Sequence, residues 1–520
     1  MSVRAKNPIL PGFYPDPSCC AVGDDYYIVN SSFAYFPGLP IMHSKDLCHW
    51  EQIGNVLTKE SQLPLKNAGV SEGLFAPTIR YHEGIFYVIC TNVTYGGNFI
   101  VTAEDPRGPW SEPHFIEGAD GIDPSLFFDD DGKCYYIGTH PNPEGCKYNG
   151  DWYIYIQEID IENFKLVGEH KNVWNGAMKG VHWPEGPHLY KKGDYYYIIH
   201  AEGGTGPEHA VSVARCKDIW GPYENNFCNP IFTHRHLGQK YPVKYVGHAD
   251  LMQTINGEWY MVMLAVRPTK GYTTMGRETF LAGVCWENDW PVVNPGLGIL
   301  SDELQIELEP WKPDEDATPV SCDRFYQFPK MKTLGPEFLM LRNPADFYEL
   351  KEGEGLYMKC QNVALKDKES PSLLCIRQDS HVFEASCVFS SDGLYEGAKA
   401  GLLYMQNTEC YLKFEYEGMH GNVILCRKGV EEKIASVMVP ENNITMLMRV
   451  YGLKAELYIG TGNSVKNVAK EIDISALSTE VSGGFVGNTI GIYATDSQKR
   501  EECISALFKS FVYCRSLNVN

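Results

Sequence analysis

The 520-residue chain has 17 cysteines but no C-x-x-C pair, so it lacks the spacing of a structural zinc site or a dithiol redox centre. An odd, scattered set of this kind reads as small buried hydrophobes in a reducing compartment, not as a disulfide framework. No apolar run reaches transmembrane length, and the opening "MSVRAKNPILPGFYPDP" has basic residues without the apolar stretch of a signal peptide. A cytoplasmic location with no membrane partner is therefore expected. Positive charge is scarce: 45 Lys and Arg stand against 66 Asp and Glu, a formal net charge of −21. Such a surface repels nucleic acid and anionic lipid and leaves a neutral ligand as the natural partner. Long helical periodicity is also missing, which argues against an α/β fold. The chain is instead rich in aromatic side chains, 32 of them tyrosine. These suit β-structure and stacking on the flat apolar faces of a ligand.

One pattern recurs five times. "DPSCCAVGDDYYIVNSS" (16–32), "APTIRYHEGIFYVICTN" (76–92), "DPSLFFDDDGKCYYIGTH" (123–140), "GPHLYKKGDYYYIIHAEGG" (186–204) and "HADLMQTINGEWYMVMLA" (248–265) each read as strand, tight glycine turn and aromatic-rich strand. The first positions lie 60, 47, 63 and 62 residues apart, a period that fits propeller blades with generous loops. "SKDLCHWEQ", "AEDPRGPWSEP" and "CKDIWGPYEN" read as partial third-strand echoes, each with an acidic residue shortly before Trp or Tyr. At this length two domains are expected. The first is a five-bladed β-propeller over 1–310. After a proline-rich acidic linker over 311–323, short alternating strands over 324–520 predict a β-sandwich, so the whole chain is all-β.

In a propeller the first strand of every blade lines the central axis. Asp16, Ala76, Asp123, Gly186 and His248 are equivalent positions, with Glu185 one place before the fourth. The repeat therefore brings two aspartates, a glutamate and a histidine to one funnel. Strict strand alternation would turn Glu185 away, unless Pro184, Gly186 and Pro187 break the regular geometry at that strand's entrance. Three carboxylates around a pocket suggest a divalent-cation site or acid/base catalysis. Glycoside hydrolysis needs a protonated acid for the leaving oxygen and an ionised carboxylate that activates water or attacks directly. A third negative charge raises the pKa of the acid beside it. "DDDGK" (129–133) lacks the later glutamate of a calcium loop and falls at a hairpin turn, so it reads as a solvated turn.

"NPILPGFYPDPS", "FAPTIRYHEGIFY", "GIDPSLFFDDDGKCYY", "EGPHLYKKGDYYYIIHAEGG", "YVGHADL" and "GRETFLAGVCWENDWPVVNPG" together resemble glycoside hydrolase family 43, especially its two-domain β-xylosidases and α-L-arabinofuranosidases. The resemblance implies hydrolysis with inversion, Asp16 as the base that activates water, Glu185 as the acid, and Asp123 as the residue that tunes and orients Glu185. It implies Arg277 on sugar hydroxyls and Phe33 and Phe75 as aromatic pocket walls. It also implies His248 near the axis, where it meets a hydrated calcium ion in some relatives or hydrogen-bonds the Asp cluster. No cofactor is required on this reading, and a structural calcium ion on the axis is the one metal to look for. The sequence departs from those β-xylosidases at Phe75, where they carry Trp, and in the shorter segment 267–275.

The resemblance further implies a lectin-like jelly roll that sends a loop over the funnel. The candidate is "ATDSQKREECISALF" (494–508), with Phe508 at its tip. A pocket closed in this way admits chain ends only. The expected activity is an exo-hydrolase releasing β-D-xylose or α-L-arabinofuranose from xylo- or arabino-oligosaccharides. The alternative is a non-catalytic glycan-binding propeller with a lectin-like domain. Subunit number stays open, a homo-oligomer included.

Overall fold

The five sequence copies fold into five antiparallel four-stranded sheets arranged around one axis, in a computed structural model that describes residues 2–314, 317–343, 346–394, 397–440 and 442–517. The innermost strands are Ser18–Val22, Thr78–His82, Ile122–Phe128, Glu185–Lys192 and Lys244–Gln253. Each first hairpin turns on a glycine with left-handed φ, at Gly23, Gly84, Gly132, Gly193 and Gly257. A side chain there would be strained, which is why the repeat is legible in sequence. Val3–Lys6 pairs antiparallel with Glu303–Ile306, and Leu10 bridges Thr279 on the fifth blade, so the two ends of the propeller close the ring.

The acidic echoes lie between the third and fourth strands of their blades, not within the third strands. Asp46 Oδ1 accepts the backbone N–H of Cys48 and His49, Asp105 that of Arg107, and Asp218 that of Trp220. These are Asx turns, a local use of Asp that ends one strand and starts the next.

Polar residues two places after the funnel positions face the same axis, as the two-residue strand period requires. There Asp250 receives hydrogen bonds from Ser18 Oγ (2.6 Å), Arg80 Nη1 (2.8 Å) and the Tyr190 hydroxyl. Arg80 also contacts His188 Nδ1 (2.9 Å), which reaches Ser125 Oγ at 3.2 Å. One network thus joins all five inner strands. Asp250 is fully buried; burial alone would push its pKa up, but the Arg80 guanidinium and the surrounding donors hold it far below the usual carboxylate range.

Among the described residues the second domain comprises an eight-stranded and a six-stranded antiparallel sheet. Their inner faces meet at rings such as Phe383 and Tyr404, 5.6 Å apart. One continuous apolar cluster runs from Phe13, Phe33 and Tyr35 of the propeller to Phe338, Leu373 and Leu402 of the sandwich. Tyr35–Phe36 leaves blade 1 to pair with Met340–Leu341, and Arg342 Nε donates to the Ala68 carbonyl at 2.7 Å. Residues 317–320 of the segment between the domains lie along blade 1, with Val320 N bonded to Trp50 O at 3.1 Å. This broad contact fixes the sandwich over the funnel. Among the described residues no helix is long and apolar enough to cross a membrane.

Candidate active site

The segment "PGFYPDPS" is held before it reaches the funnel. Asn30 Nδ2 donates to the carbonyls of Tyr14 (3.1 Å) and Pro15 (3.0 Å), and Thr279 Oγ1 donates to Tyr14 O at 2.7 Å. Buried Glu278, paired with Arg267 through two 2.8 Å contacts, accepts the Gly12 N–H at 2.9 Å. Gly12 is left-handed, and a Cβ there would lie 2.3 Å from the Gln378 carbonyl of the sandwich. From that same strand end Arg377 Nε donates to Phe13 O at 2.7 Å. Both domains therefore fix the approach to Asp16.

Asp16 itself has φ 51°, Asp123 54°, Gly186 55° and His248 49°. Four of the five repeat-equivalent positions thus share the left-handed region, which non-glycine residues adopt only when their surroundings hold them there. Pairing registers shift beside three of them, between Ile122 and Ser125, between Glu185 and His188, and on both sides of Gly247. Such bulges re-aim side chains, and this resolves the alternation problem at Glu185. In blade 4 the left-handed residue is glycine because a Cβ would come within 2.8 Å of the His248 ring. Its N–H donates to Asp123 Oδ2 at 3.1 Å, and the preceding Glu185 carries the carboxylate.

Asp16, Asp123, Glu185, Arg277, Phe33, Phe75 and His248 all border one cavity of about 640 Å³. Asp16 is ion-paired with Arg277, Oδ1 to Nη1 at 2.7 Å and Oδ2 to Nη2 at 3.4 Å, and Oδ2 accepts Ser31 Oγ at 2.6 Å. Asp123 is raised to about 6: burial lifts it first, His248 pulls it down, and Asp16 lifts it further. Part of Glu185 opens into the cavity, yet the surrounding protein withdraws it from bulk water. That burial, then the charges of Asp123 and Asp16, push its carboxyl well above the ordinary range, against the pull of Arg277.

Phe508 is not at this site. It is fully buried in the strand Ser505–Cys514, paired with Leu356 and 5.4 Å from the Phe389 ring. Alternating burial along that strand turns Phe508 into the sandwich core. Residues 494–497 border a separate groove on the sandwich. The sandwich reaches the funnel instead through the short helix Thr479–Ser482 and the turn after it. Glu480 accepts the Thr273 N–H (2.6 Å) and hydroxyl (2.8 Å), and Asn488 N bonds Thr274 O at 2.8 Å. Between these anchors Phe485 enters the cavity. Its N–H donates to Ser71 Oγ (2.9 Å), and its carbonyl accepts Arg277 Nη2 (3.3 Å). Its ring stacks on Phe33 at 6.0 Å and meets Phe75 edge-on at 6.0 Å, making a wall of three rings.

Trp152 and Trp183 also border the cavity, and Thr205 Oγ1 accepts Arg277 Nη1 at 3.5 Å. Sequence reasoning missed these residues and Phe485. The signal for Trp183 was its place two residues before Glu185, and for Phe485 the non-periodic, glycine-flanked "SGGFVGN".

Among the described residues no group of three or more His, Cys, Asp or Glu side chains is arranged to hold a metal ion. The axial layer next to His248 carries the Arg80 guanidinium. Calcium takes several oxygen ligands, so these side chains alone do not cage the ion, and a hydrated calcium ion beside His248 would draw its ligands from water. "DDDGK" is a hairpin turn exposed at residues 130–133, with only Asp129 buried and paired with Lys191 (2.9 Å) and Tyr196 (2.7 Å).

Residues 5–291 match the model of glycosyl hydrolases family 43, and residues 326–514 that of the β-xylosidase C-terminal concanavalin A-like domain. A xylosidase/arabinosidase from Butyrivibrio fibrisolvens is 51% identical over 511 residues, covering 96% of this chain and 97% of that protein. A non-reducing end α-L-arabinofuranosidase from Bacteroides ovatus is 38% identical, covering 94% and 91%. The crystal structure of a xylan β-1,4-xylosidase from Bacillus halodurans superposes with a TM-score of 0.88 at 32% identity, covering 98% of this chain and all of that one. Propeller and sandwich thus agree with sequence likeness along almost the whole chain: the protein belongs to glycoside hydrolase family 43.

Proposed function

We propose that this protein is an inverting exo-glycosidase that releases terminal β-D-xylose or α-L-arabinofuranose from xylan-type oligosaccharides. The observation that carries the reading is the convergence of Asp16, Asp123 and Glu185, from three blades, on a cavity of about 640 Å³ with the Glu185 carboxyl raised by burial and then by its two acidic neighbours. Glu185, protonated, gives its proton to the leaving glycosidic oxygen as the bond from that oxygen to the anomeric carbon breaks. Asp16, oriented by Arg277 and Ser31, takes a proton from the water that attacks the opposite face of the sugar. Asp123 holds the proton on Glu185 through its charge and fixes the Gly186 N–H beside it. Solvent exchange then returns the proton from Asp16 to Glu185. No step runs through calcium.

Arg277 borders the cavity and binds sugar hydroxyls in exchange for its long contacts to Thr205 Oγ1 (3.5 Å) and the Phe485 carbonyl (3.3 Å). Phe33, Phe75 and Phe485 pack against the apolar face of the terminal ring. Phe485 supports exo action, because its turn stands across the funnel between Ser71 and Arg277. The relative at 51% identity carries both activities in its name, and one pocket suits both pentoses because their hydroxyl patterns are similar.

The test is turnover of nitrophenyl β-xyloside, nitrophenyl α-arabinofuranoside and unactivated xylobiose by the unaltered protein and by Glu185→Ala, with the anomer first released read by proton NMR. The reading expects turnover, a loss of roughly 100-fold or more on an unactivated substrate in the variant, and inverted product. No turnover of any pentoside would return the chain to the glycan-binding alternative, and retained configuration would remove the single-displacement scheme.

A further inference from the structure

A second cavity, of about 380 Å³, abuts the catalytic pocket, and Gly203 and Glu208 line both. Its walls are residues 178–182, which lead into the strand of Glu185, the turn at Gly203 and Glu208, and Arg235. The Trp183 N–H donates to Gly150 O and the Gly203 N–H to His182 O, both at 2.8 Å. These bonds tie the side cavity to the strand entrance that carries Glu185. Whatever leaves the funnel past Glu185 and Trp183 has this space beside it.

The charge of the side cavity is opposite to that of the molecule. Lys179 and Arg235 face one carboxylate, Glu208. Neither Lys179 nor Arg235 has an ion-pair partner among the described residues, and Arg235 Nη2 instead approaches Met178 Sδ at 3.1 Å. In a chain of net charge −21, an anionic substrate is repelled at long range and needs local cations to be held. Neutral sugar hydroxyls gain little from two unpaired cations, whereas a carboxylate gains charge-assisted hydrogen bonds.

We propose that the side cavity is a subsite on the leaving-group side for a carboxylate-bearing sugar, so that the enzyme accepts pentose oligosaccharides with a uronosyl branch and holds its carboxylate with Lys179 and Arg235. This rests on the glycosidase reading of the main pocket for the direction in which the substrate lies. Glu208 shares the space and opposes the carboxylate, so its removal strengthens acidic binding.

Binding is measured by calorimetry in a Glu185→Gln background, using xylotriose and the same trisaccharide with a glucuronosyl branch on an internal residue. The branched ligand is expected to bind roughly three- to tenfold more tightly at low salt, the size of two exposed charge contacts. That advantage should shrink towards unity at high salt and in Lys179→Gln/Arg235→Gln, while xylotriose binding stays within about twofold, and Glu208→Gln should widen it. Equal affinities for the two ligands, or an advantage that survives both high salt and the double substitution, would overturn the proposal. If the double variant does not fold, the single variants and the salt titration of the otherwise unaltered chain decide. Turnover of aryl pentosides is scored separately, so a failure of the glycosidase reading shows there and a failure of the subsite shows only in the acidic-to-neutral ratio.

Discussion

Asp123→Asn should make the protein more stable and less active, with both effects set by pH. Asp123 is buried and raised to about 6 in the folded protein, against about 4 in an unfolded chain. At about 1.4 kcal/mol per tenfold change in proton affinity, ionising it in the fold costs about 3 kcal/mol. Its field is shared with Asp16 and Glu185, which makes about 1–3 kcal/mol a fair range. The sign follows from the raised value. Below about pH 4 the carboxyl is protonated in both states and the cost is absent; it grows as pH rises towards 6 and is complete above that. Asparagine keeps an acceptor for the Gly186 N–H, now 3.1 Å from Oδ2, and carries no charge. Denaturant melts of the variant and the unaltered protein should therefore coincide near pH 4 and differ by about 1–3 kcal/mol in favour of the variant at pH 8. The charge of Asp123 is also the largest cause after burial of the raised Glu185 carboxyl. Without it the alkaline limb of kcat/KM should move to lower pH, with a loss of roughly tenfold or more at pH 7. Equal stability at both pH values, or an alkaline limb that stays in place, would refute the electrostatic coupling of these carboxylates.

Two further outcomes follow from the neighbouring layers. Phe485→Ala removes a half-exposed ring from the three-ring wall and should lower kcat/KM about tenfold, mainly through KM, with less than about 1 kcal/mol lost in stability; an unchanged KM on pentosides would show that the wall does not touch the sugar. Asp250→Asn leaves the buried Arg80 guanidinium uncompensated and should cost about 3–5 kcal/mol at pH 7. Because the Asp250 carboxyl is held far below its ordinary value, its contribution is present above about pH 4 and fades as pH falls further. A penalty in denaturant melts that is the same at pH 7 and below pH 3 would contradict that role.

The propeller was legible because its determinants are local. A glycine at each first hairpin turn and a fixed offset to the funnel position are written into every copy, and the offset brings Asp16, Asp123 and His248 together without any knowledge of packing. Glu185 was harder: strict alternation turns it outward, and only the left-handed Gly186 with its register shift turns it back. Arg80 and Asp250 follow the same two-residue rule from the funnel positions, but their meaning depends on partners in other blades. The Phe508 assignment failed for a related reason. "SALFKSFVYC" alternates in burial as a core strand does, whereas Phe485 sits in a turn whose place over the funnel comes from long-range contacts with Thr273, Ser71 and Arg277. A contact between domains leaves no period in the sequence.

The most direct measurement of the central claim is the dependence of rate on leaving group in Glu185→Ala. A dinitrophenyl pentoside departs without a proton, whereas a sugar alkoxide does not. If Glu185 is the proton donor of this funnel, the variant should lose roughly 100-fold or more on xylobiose and much less on the dinitrophenyl pentoside, and its alkaline limb should disappear. Equal losses on both substrates, with the pH profile unchanged, would contradict the account.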